Sequence, residues 1–154
     1  MGIAALIVWI VAAAGGFILL GTWIAKSGQQ HGSSKFPPGV VFGHFGVAAA
    51  GLVLWIVYLI TDARALAWIS LVVVVLIALL GFTMFVRWIP TCRAKVGRGR
   101  SATSTTPEPA GSGAVATLTV TELAESHFPV PVVVLHGLLA VATLVLVLLT
   151  ALAV

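Results

Sequence analysis

Long uninterrupted apolar runs alternate with shorter polar segments along the chain. Four runs contain no charged residue, and they cover residues 3 to 25, 40 to 60, 65 to 86 and 130 to 154. A helix needs about 20 apolar residues to cross a hydrocarbon core. Helices satisfy their own backbone hydrogen bonds in lipid, whereas the strands of a membrane barrel would alternate apolar and polar residues. The pattern therefore predicts an all-α membrane protein with four transmembrane helices.

The composition agrees with a chain that lies mostly in lipid. Hydrophobic residues make up 60% of the 154 residues and charged residues 8%, whereas about a quarter of a soluble domain is charged. The first apolar run follows no basic segment and is longer than the hydrophobic core of a signal peptide. We therefore expect this run to be retained as a transmembrane helix.

Basic residues concentrate on one side of the predicted membrane. Lys26 and Lys35 lie between the first two runs, and only Arg64 lies between the second and the third. The other basic residues follow the third run: Arg87, Arg93, Lys95, Arg98 and Arg100. Because basic loops stay in the cytoplasm, loops 26–39 and 89–129 are predicted to be cytoplasmic, with both termini outside the cell (inner) membrane. Anionic lipid headgroups account for these charges, so no nucleic-acid partner is expected.

Two pairs of segments repeat one another within the chain. "GFILLGTWI" at 16–24 and "GFTMFVRWI" at 81–89 share Gly-Phe at the start and Trp-Ile at the end. "KFPPGVVFGH" at 35–44 and "HFPVPVVVLH" at 127–136 share a basic residue, Phe-Pro, a Val-Val pair and a final histidine. These matches indicate that the first and third helices correspond, as do the second and fourth.

The chain is accordingly interpreted as two parallel helical-hairpin repeats. Residues 1–62 form the first hairpin, and residues 63–154 form the second with an inserted cytoplasmic loop at 93–126. The alternation of apolar and polar residues in "VATLTVTEL", within this loop, predicts a short strand. Parallel repeats are related by an axis along the membrane normal, so equivalent residues are expected at equal depth.

The repeat places two histidines at equal depth. His44 and His136 each follow the phenylalanine of their Phe-Pro motif by eight residues, which puts them roughly 10 Å inside their helices at 1.5 Å per residue. Ionisable residues at such depth are rare and mark functional sites by default. We therefore expect the two imidazoles to form one site.

A haem b held by His44 and His136 is the first interpretation of this pair. Opposed imidazoles on facing helices supply the two axial ligands of a haem iron. Arg87, Lys35 and His127 lie at the same end of the helices and are predicted to meet the propionates. Because two imidazoles fill both axial positions, electron transfer is favoured over oxygen chemistry, and no catalytic nucleophile is predicted.

Other interpretations of the histidines stay open at this point. A metal ion without a haem would use His44 and His136, with His127 and Glu125 as further donors, but no acidic residue inside a span would offset its charge. Alternatively, the histidines hydrogen-bond between helices, and the chain is a cofactor-free accessory subunit packed through small residues. Glu125 itself is expected on a surface segment, and Cys92 is given no role.

The four helices, with histidines on the second and the fourth, resemble small b-type cytochrome membrane domains. The resemblance covers the four spans and excludes the loop at 93–126. It implies one haem b at most, because neither histidine lies in the outer half of a span. It also implies a non-catalytic electron-transfer role as a small subunit or partner of a redox complex, with the lipid bilayer and other membrane subunits as partners.

Overall fold

The computed structural model describes residues 1–30, 32–102 and 123–153. The described residues contain helices and no strand, and four of the helices are long and apolar enough to cross a membrane. The predicted all-α fold with four membrane-spanning helices is therefore confirmed. Most of the predicted strand, residues 115–122, lies outside the described residues.

Three of the four long helices have the same length, and the other is much longer. Helices α1, α2 and α4 have 24 residues each, which gives about 36 Å at 1.5 Å per residue and is enough to cross a core of about 30 Å. A single 3-10 helix precedes α4. The bounds are Gly2–Ala25 for α1, Pro38–Thr61 for α2, Arg64–Ala102 for α3, Ala124–His127 for the 3-10 helix and Val130–Ala153 for α4.

Helix α3 continues well beyond the end of its predicted span at residue 86. It has 39 residues with Pro90 inside it, and its apolar part is Arg64–Arg93. Residues 91–102 contain no second proline, and alanine, arginine and lysine favour helix. Apolar composition shows where a helix leaves lipid but does not show where its hydrogen bonds end. The apolar part of α3 thus ends at the predicted start of the inserted segment at 93, and the helix continues into that segment up to Ala102.

The four helices form a closed ring in the order α1, α4, α3, α2. The most extensive packing joins α1 to α4 and α2 to α3, and the α3–α4 and α1–α2 contacts complete the ring. In the described residues, the backbones of α2 and α4 do not contact each other, nor do those of α1 and α3. Helices α2 and α4, which carry the two histidines, therefore face each other diagonally across the bundle.

Two clusters of buried side chains hold the bundle at its two ends. At the end near the N-terminus, the Trp55 indole N–H donates to the carbonyl of Gly2 at 3.2 Å. This cluster contains Ala5, Trp9, Trp55, Tyr58, Ala67, Val74, Val147 and Ala151. The cluster at the opposite, basic end contains Trp23, Phe36, Val41, Trp88 and Ala124. The histidines lie along their helices between these clusters.

Candidate functional site

The structure brings His44 and His136 together across the centre of the bundle. Their ring centres are 6.4 Å apart, and the ring planes are inclined at 66°. Both side chains are half-buried. Two residues that are 92 positions apart in the sequence thus form one pair, on helices whose backbones do not contact each other.

Each imidazole packs against a glycine of a neighbouring helix. A Cβ atom added to Gly16 in α1 would lie 3.2 Å from Cε1 and 3.7 Å from Nδ1 of His136. A Cβ atom added to Gly81 in α3 would lie 3.2 Å and 3.7 Å from the same two atoms of His44. These glycines begin the two "GF" segments noted in the sequence, and the absence of a side chain at both positions allows the rings to approach the helix backbones.

The ring nitrogens of the two histidines differ in their partners. His136 Nδ1 lies 2.8 Å from the carbonyl oxygen of Ala12, and because a carbonyl only accepts, Nδ1 carries the proton. This contact leaves Nε2 of His136 with its lone pair, as a metal-ligating imidazole requires. The backbone of Ile77 is next to the His44 ring, but His44 Nδ1 is buried without a hydrogen-bond partner in the described residues.

The spacing of the rings fits one transition-metal ion held between them. An imidazole nitrogen lies about 1.1 Å from its ring centre and binds such an ion at about 2.0–2.1 Å, which sets two opposed ring centres about 6.3 Å apart. The observed separation of the His44 and His136 ring centres is 6.4 Å. His44 Nδ1 is directed toward α3, beside Gly81 and Ile77, as His136 Nδ1 is directed toward α1.

The donor set indicates which kind of metal centre the pair can hold. Among the described residues, no group of three or more His, Cys, Asp or Glu side chains could hold a metal ion. A bare divalent ion would have only two protein ligands there and an uncompensated charge in a low dielectric. A haem would supply its own nitrogen ligands and negative charge to the iron, so His44 and His136 would be the only protein ligands it needs.

Aromatic side chains lie beside the histidines on the α1–α2 side of the bundle. The rings of Phe17 and Phe45 meet edge to face with centres 5.1 Å apart. Trp23 and Phe42 meet in the same way at 6.0 Å. Trp23 is buried, whereas Phe17 and Phe42 are exposed, so these rings give the α1–α2 side of the bundle an apolar outer surface.

The predicted propionate partners lie at the basic end of the bundle, but they are not gathered at one point. Arg87 is exposed, and its Nη1 donates to the carbonyl oxygen of Lys35 at 3.0 Å. The Lys35 residue is exposed as well. His127 lies in the 3-10 helix, where its Nδ1 is 3.3 Å from the Ser126 hydroxyl. Their contact with propionates stays a prediction.

Glu125 was expected on a surface segment, and this expectation is wrong. The side chain is fully buried. Its Oε1 accepts the backbone N–H of Lys35 at 2.8 Å, and its Oε2 is buried with no hydrogen-bond partner among the described residues. Glu125 lies in the four-residue 3-10 helix Ala124–His127, which is too short for a periodic pattern to distinguish a buried acid from an exposed one.

A separate cavity of about 360 Å³ lies between the end of the apolar part of α3 and the start of α4. Trp88 and Cys92 line it from α3, and Phe128, Pro129 and Pro131 line it from the opposite side. Neither His44 nor His136 lines this cavity. It therefore belongs to the basic end of the bundle and is distinct from the paired imidazoles.

The fold and the paired histidines define a four-helix membrane bundle with a candidate two-imidazole site. No protein family, no curated protein and no solved structure matches this chain. The resemblance to small b-type cytochrome domains therefore stays a prediction, and it depends on the helix arrangement and on the positions of His44 and His136.

Proposed function

We propose that this chain binds one haem b between His44 and His136 and transfers electrons within a membrane. The observation that carries the proposal is the 6.4 Å separation of the two ring centres across the bundle. The lack of a third donor in the described residues favours a haem over a bare ion, because the macrocycle supplies the remaining ligands.

The chain's own residues would set the properties of the bound group. A bound haem b would supply reversible one-electron chemistry. The carbonyl of Ala12 holds the proton on His136 Nδ1 and thereby orients Nε2 and raises its basicity. Gly16 and Gly81 let both rings lie close to the neighbouring helices. With His44 and His136 as its two protein ligands, the group would have no position left for a substrate and would supply electron transfer only.

The wider organisation of the chain is part of the same proposal. Two parallel hairpins, residues 1–62 and 63–154, are supported by the matched distances from Gly16 to His136 and from Gly81 to His44. The basic end would face the cytoplasm of a cell membrane with the termini outside. Other membrane subunits of a redox complex would be the electron-transfer partners.

Visible absorption of the purified protein tests the haem proposal. We expect protein titrated with haemin to give the sharp Soret band of a six-coordinate, low-spin haem. His44→Ala and His136→Ala should each abolish that spectrum, while His31→Ala, which removes a histidine from a polar segment, should leave it unchanged. Full-length, helical protein that gives no Soret shift with haemin would refute the proposal.

A second candidate is a cofactor-free accessory subunit, and the tight packing of the bundle favours it. A Cβ atom added to Gly51 in α2 would lie 2.8 Å from a side-chain carbon of Val73 and 3.1 Å from the Trp9 ring, so these helices pack closely without any ligand. Under this reading the two imidazoles only pack against each other. Colourless, fully helical protein that co-purifies with a larger membrane complex would support this function.

A further inference from the structure

Two short segments meet at the basic end of the bundle, directly before the helices that carry the histidines. Residues 33–36 precede α2, and residues 124–128 precede α4. We refer to these two segments together as the joint. The backbone N–H of Ala124 donates to the carbonyl of Ser33 at 2.8 Å, and the rings of Phe36 and Phe128 lie 6.1 Å apart.

The Glu125 side chain makes a hydrogen bond between the two segments of the joint. Its Oε1 accepts the N–H of Lys35 at 2.8 Å, and the carboxyl group is fully buried. Burying a carboxyl group costs free energy unless its hydrogen bonds are made. An apolar residue would fill the same space at no such cost, so packing alone does not explain an acid at this position.

The joint is also fixed to the two helices that flank it. The Trp23 indole N–H of α1 donates to the Ser34 hydroxyl at 2.9 Å, and this hydroxyl also accepts the N–H of Phe36 at 3.0 Å. From α3, Arg87 donates to the carbonyl of Lys35 at 3.0 Å. The segment before α2 is therefore held by α1, by α3 and by Glu125.

The joint links two helices whose backbones do not contact each other. In the described residues α2 and α4 have no direct backbone contact, yet His44 and His136 each follow the phenylalanine of the joint by eight residues. A helix rises about 1.5 Å per residue, so any slip between the two helix starts moves one imidazole past the other by that amount.

We propose that Glu125 is a positioning residue that holds the starts of α2 and α4 at one height and thereby keeps His44 opposite His136. The consequence for haem binding rests on the function proposed above, whereas the consequence for helix height does not. The acceptor oxygen that receives the Lys35 N–H carries the effect. A glutamine retains such an oxygen, and a leucine of similar size does not.

The experiment compares Glu125→Leu with Glu125→Gln in the full-length protein in lipid nanodiscs. Trp55→Phe is the matched control, because it also removes one buried hydrogen bond but does so at the opposite end of the bundle. Helix height is measured by pulsed electron resonance between spin labels on Gly39→Cys at the start of α2 and Leu152→Cys at the end of α4, in a Cys92→Ser background. Both positions are exposed, and the line that joins them runs mostly along the helix axes, so its length follows a change in helix height. Haem affinity is measured by haemin titration. The relative orientation of the two imidazole planes is measured by the electron paramagnetic resonance spectrum of the oxidised haem.

We expect Glu125→Leu to change the mean label separation by about 1 Å or more, as a slip of one residue along the helix axis would, and to weaken haem binding about tenfold. Glu125→Gln and Trp55→Phe should leave both quantities, and the haem resonance spectrum, as in the wild type. If Glu125→Leu does not fold, Glu125→Met replaces it with the same expectation. A label separation that Glu125→Leu and Glu125→Met leave unchanged overturns the proposal, as does an equal change in Glu125→Gln.

The two proposals fail in different ways. If the label separation changes in Glu125→Leu but no variant binds haem, the positioning role stands and the haem function fails. If the wild type binds haem and Glu125→Leu changes neither label separation nor affinity, the haem function stands and the positioning role fails.

Discussion

Replacing Gly16 with alanine tests how closely α1 must approach His136. The new Cβ atom would lie 3.2 Å from Cε1 of the imidazole, whereas carbon atoms in ordinary contact are about 3.5–4.0 Å apart. The ring must therefore move by a few tenths of an ångström, away from the helix that holds its Nδ1 through Ala12. The substitution therefore changes the orientation of the His136 imidazole and leaves the imidazole itself unchanged.

The added methyl group has two opposing effects on the free energy of unfolding. Alanine favours a helix interior over glycine by about 1 kcal/mol, and overpacking costs about 1–3 kcal/mol. Gly21→Ala in the same helix provides the matched control, because nothing lies within 4 Å of its added Cβ atom. The difference in unfolding free energy between the two variants then measures the contact with His136, and we expect Gly16→Ala to be the less stable by about 1–3 kcal/mol.

Two measurements check this prediction. Thermal unfolding followed by circular dichroism gives the stability difference, and haemin titration gives the effect on ligand binding, which we expect to weaken about tenfold in Gly16→Ala and to stay unchanged in Gly21→Ala. Gly81→Ala should behave as Gly16→Ala does, because its added Cβ atom meets His44 at the same distances. If Gly16→Ala and Gly21→Ala are equally stable and bind haemin equally well, the close contact between Gly16 and His136 does not matter for stability or for haem binding.

Three further predictions concern the basic end of the bundle. Trp23→Phe removes the donor to the Ser34 hydroxyl and should lower the unfolding free energy by about 1 kcal/mol or more, measured by thermal melting; unchanged stability would show that this bond does not hold the joint. Arg87→Gln should lower the midpoint potential of bound haem, measured by redox titration, because a cation near the propionates disfavours the more positive oxidised state; an equal potential would remove Arg87 from the propionate site. A membrane-impermeant thiol reagent should label Cys92 in inverted vesicles and not in intact cells, and the reverse pattern would invert the proposed orientation.

Hydropathy predicted most of the fold because a segment that crosses lipid must be apolar, helical and about 20 residues long. The four apolar runs became the four membrane-length helices, with boundaries within a few residues for α1, α2 and α4. The end of α3 was missed because its last turns continue as helix beyond the apolar part, up to Ala102. The order of the helices around the ring was not predicted, since it depends on side-chain packing that periodicity does not encode.

The histidine pair could be anticipated from the internal repeat, but its surroundings could not. Equal spacing from the two Phe-Pro motifs indicated equal depth, and the rings of His44 and His136 do meet. The sequence did not show that Gly16 and Gly81 would contact the rings, because a glycine in an apolar run carries no sign of its neighbour. The burial of Glu125 was missed for a related reason: an acidic side chain in a short connecting segment is more often exposed than buried.

The ring order of the helices has a consequence for how this chain is made. Helix α1 packs mainly against α4, and α2 packs mainly against α3, so each of the two closest pairs joins a helix of the first half to one of the second. The first half therefore cannot complete its packing when it leaves the ribosome, and α1 must wait in the bilayer until residues 130–153 have been inserted. We expect premature termination before α4 to leave an incompletely assembled product that membrane proteases degrade, even though it retains three intact spans.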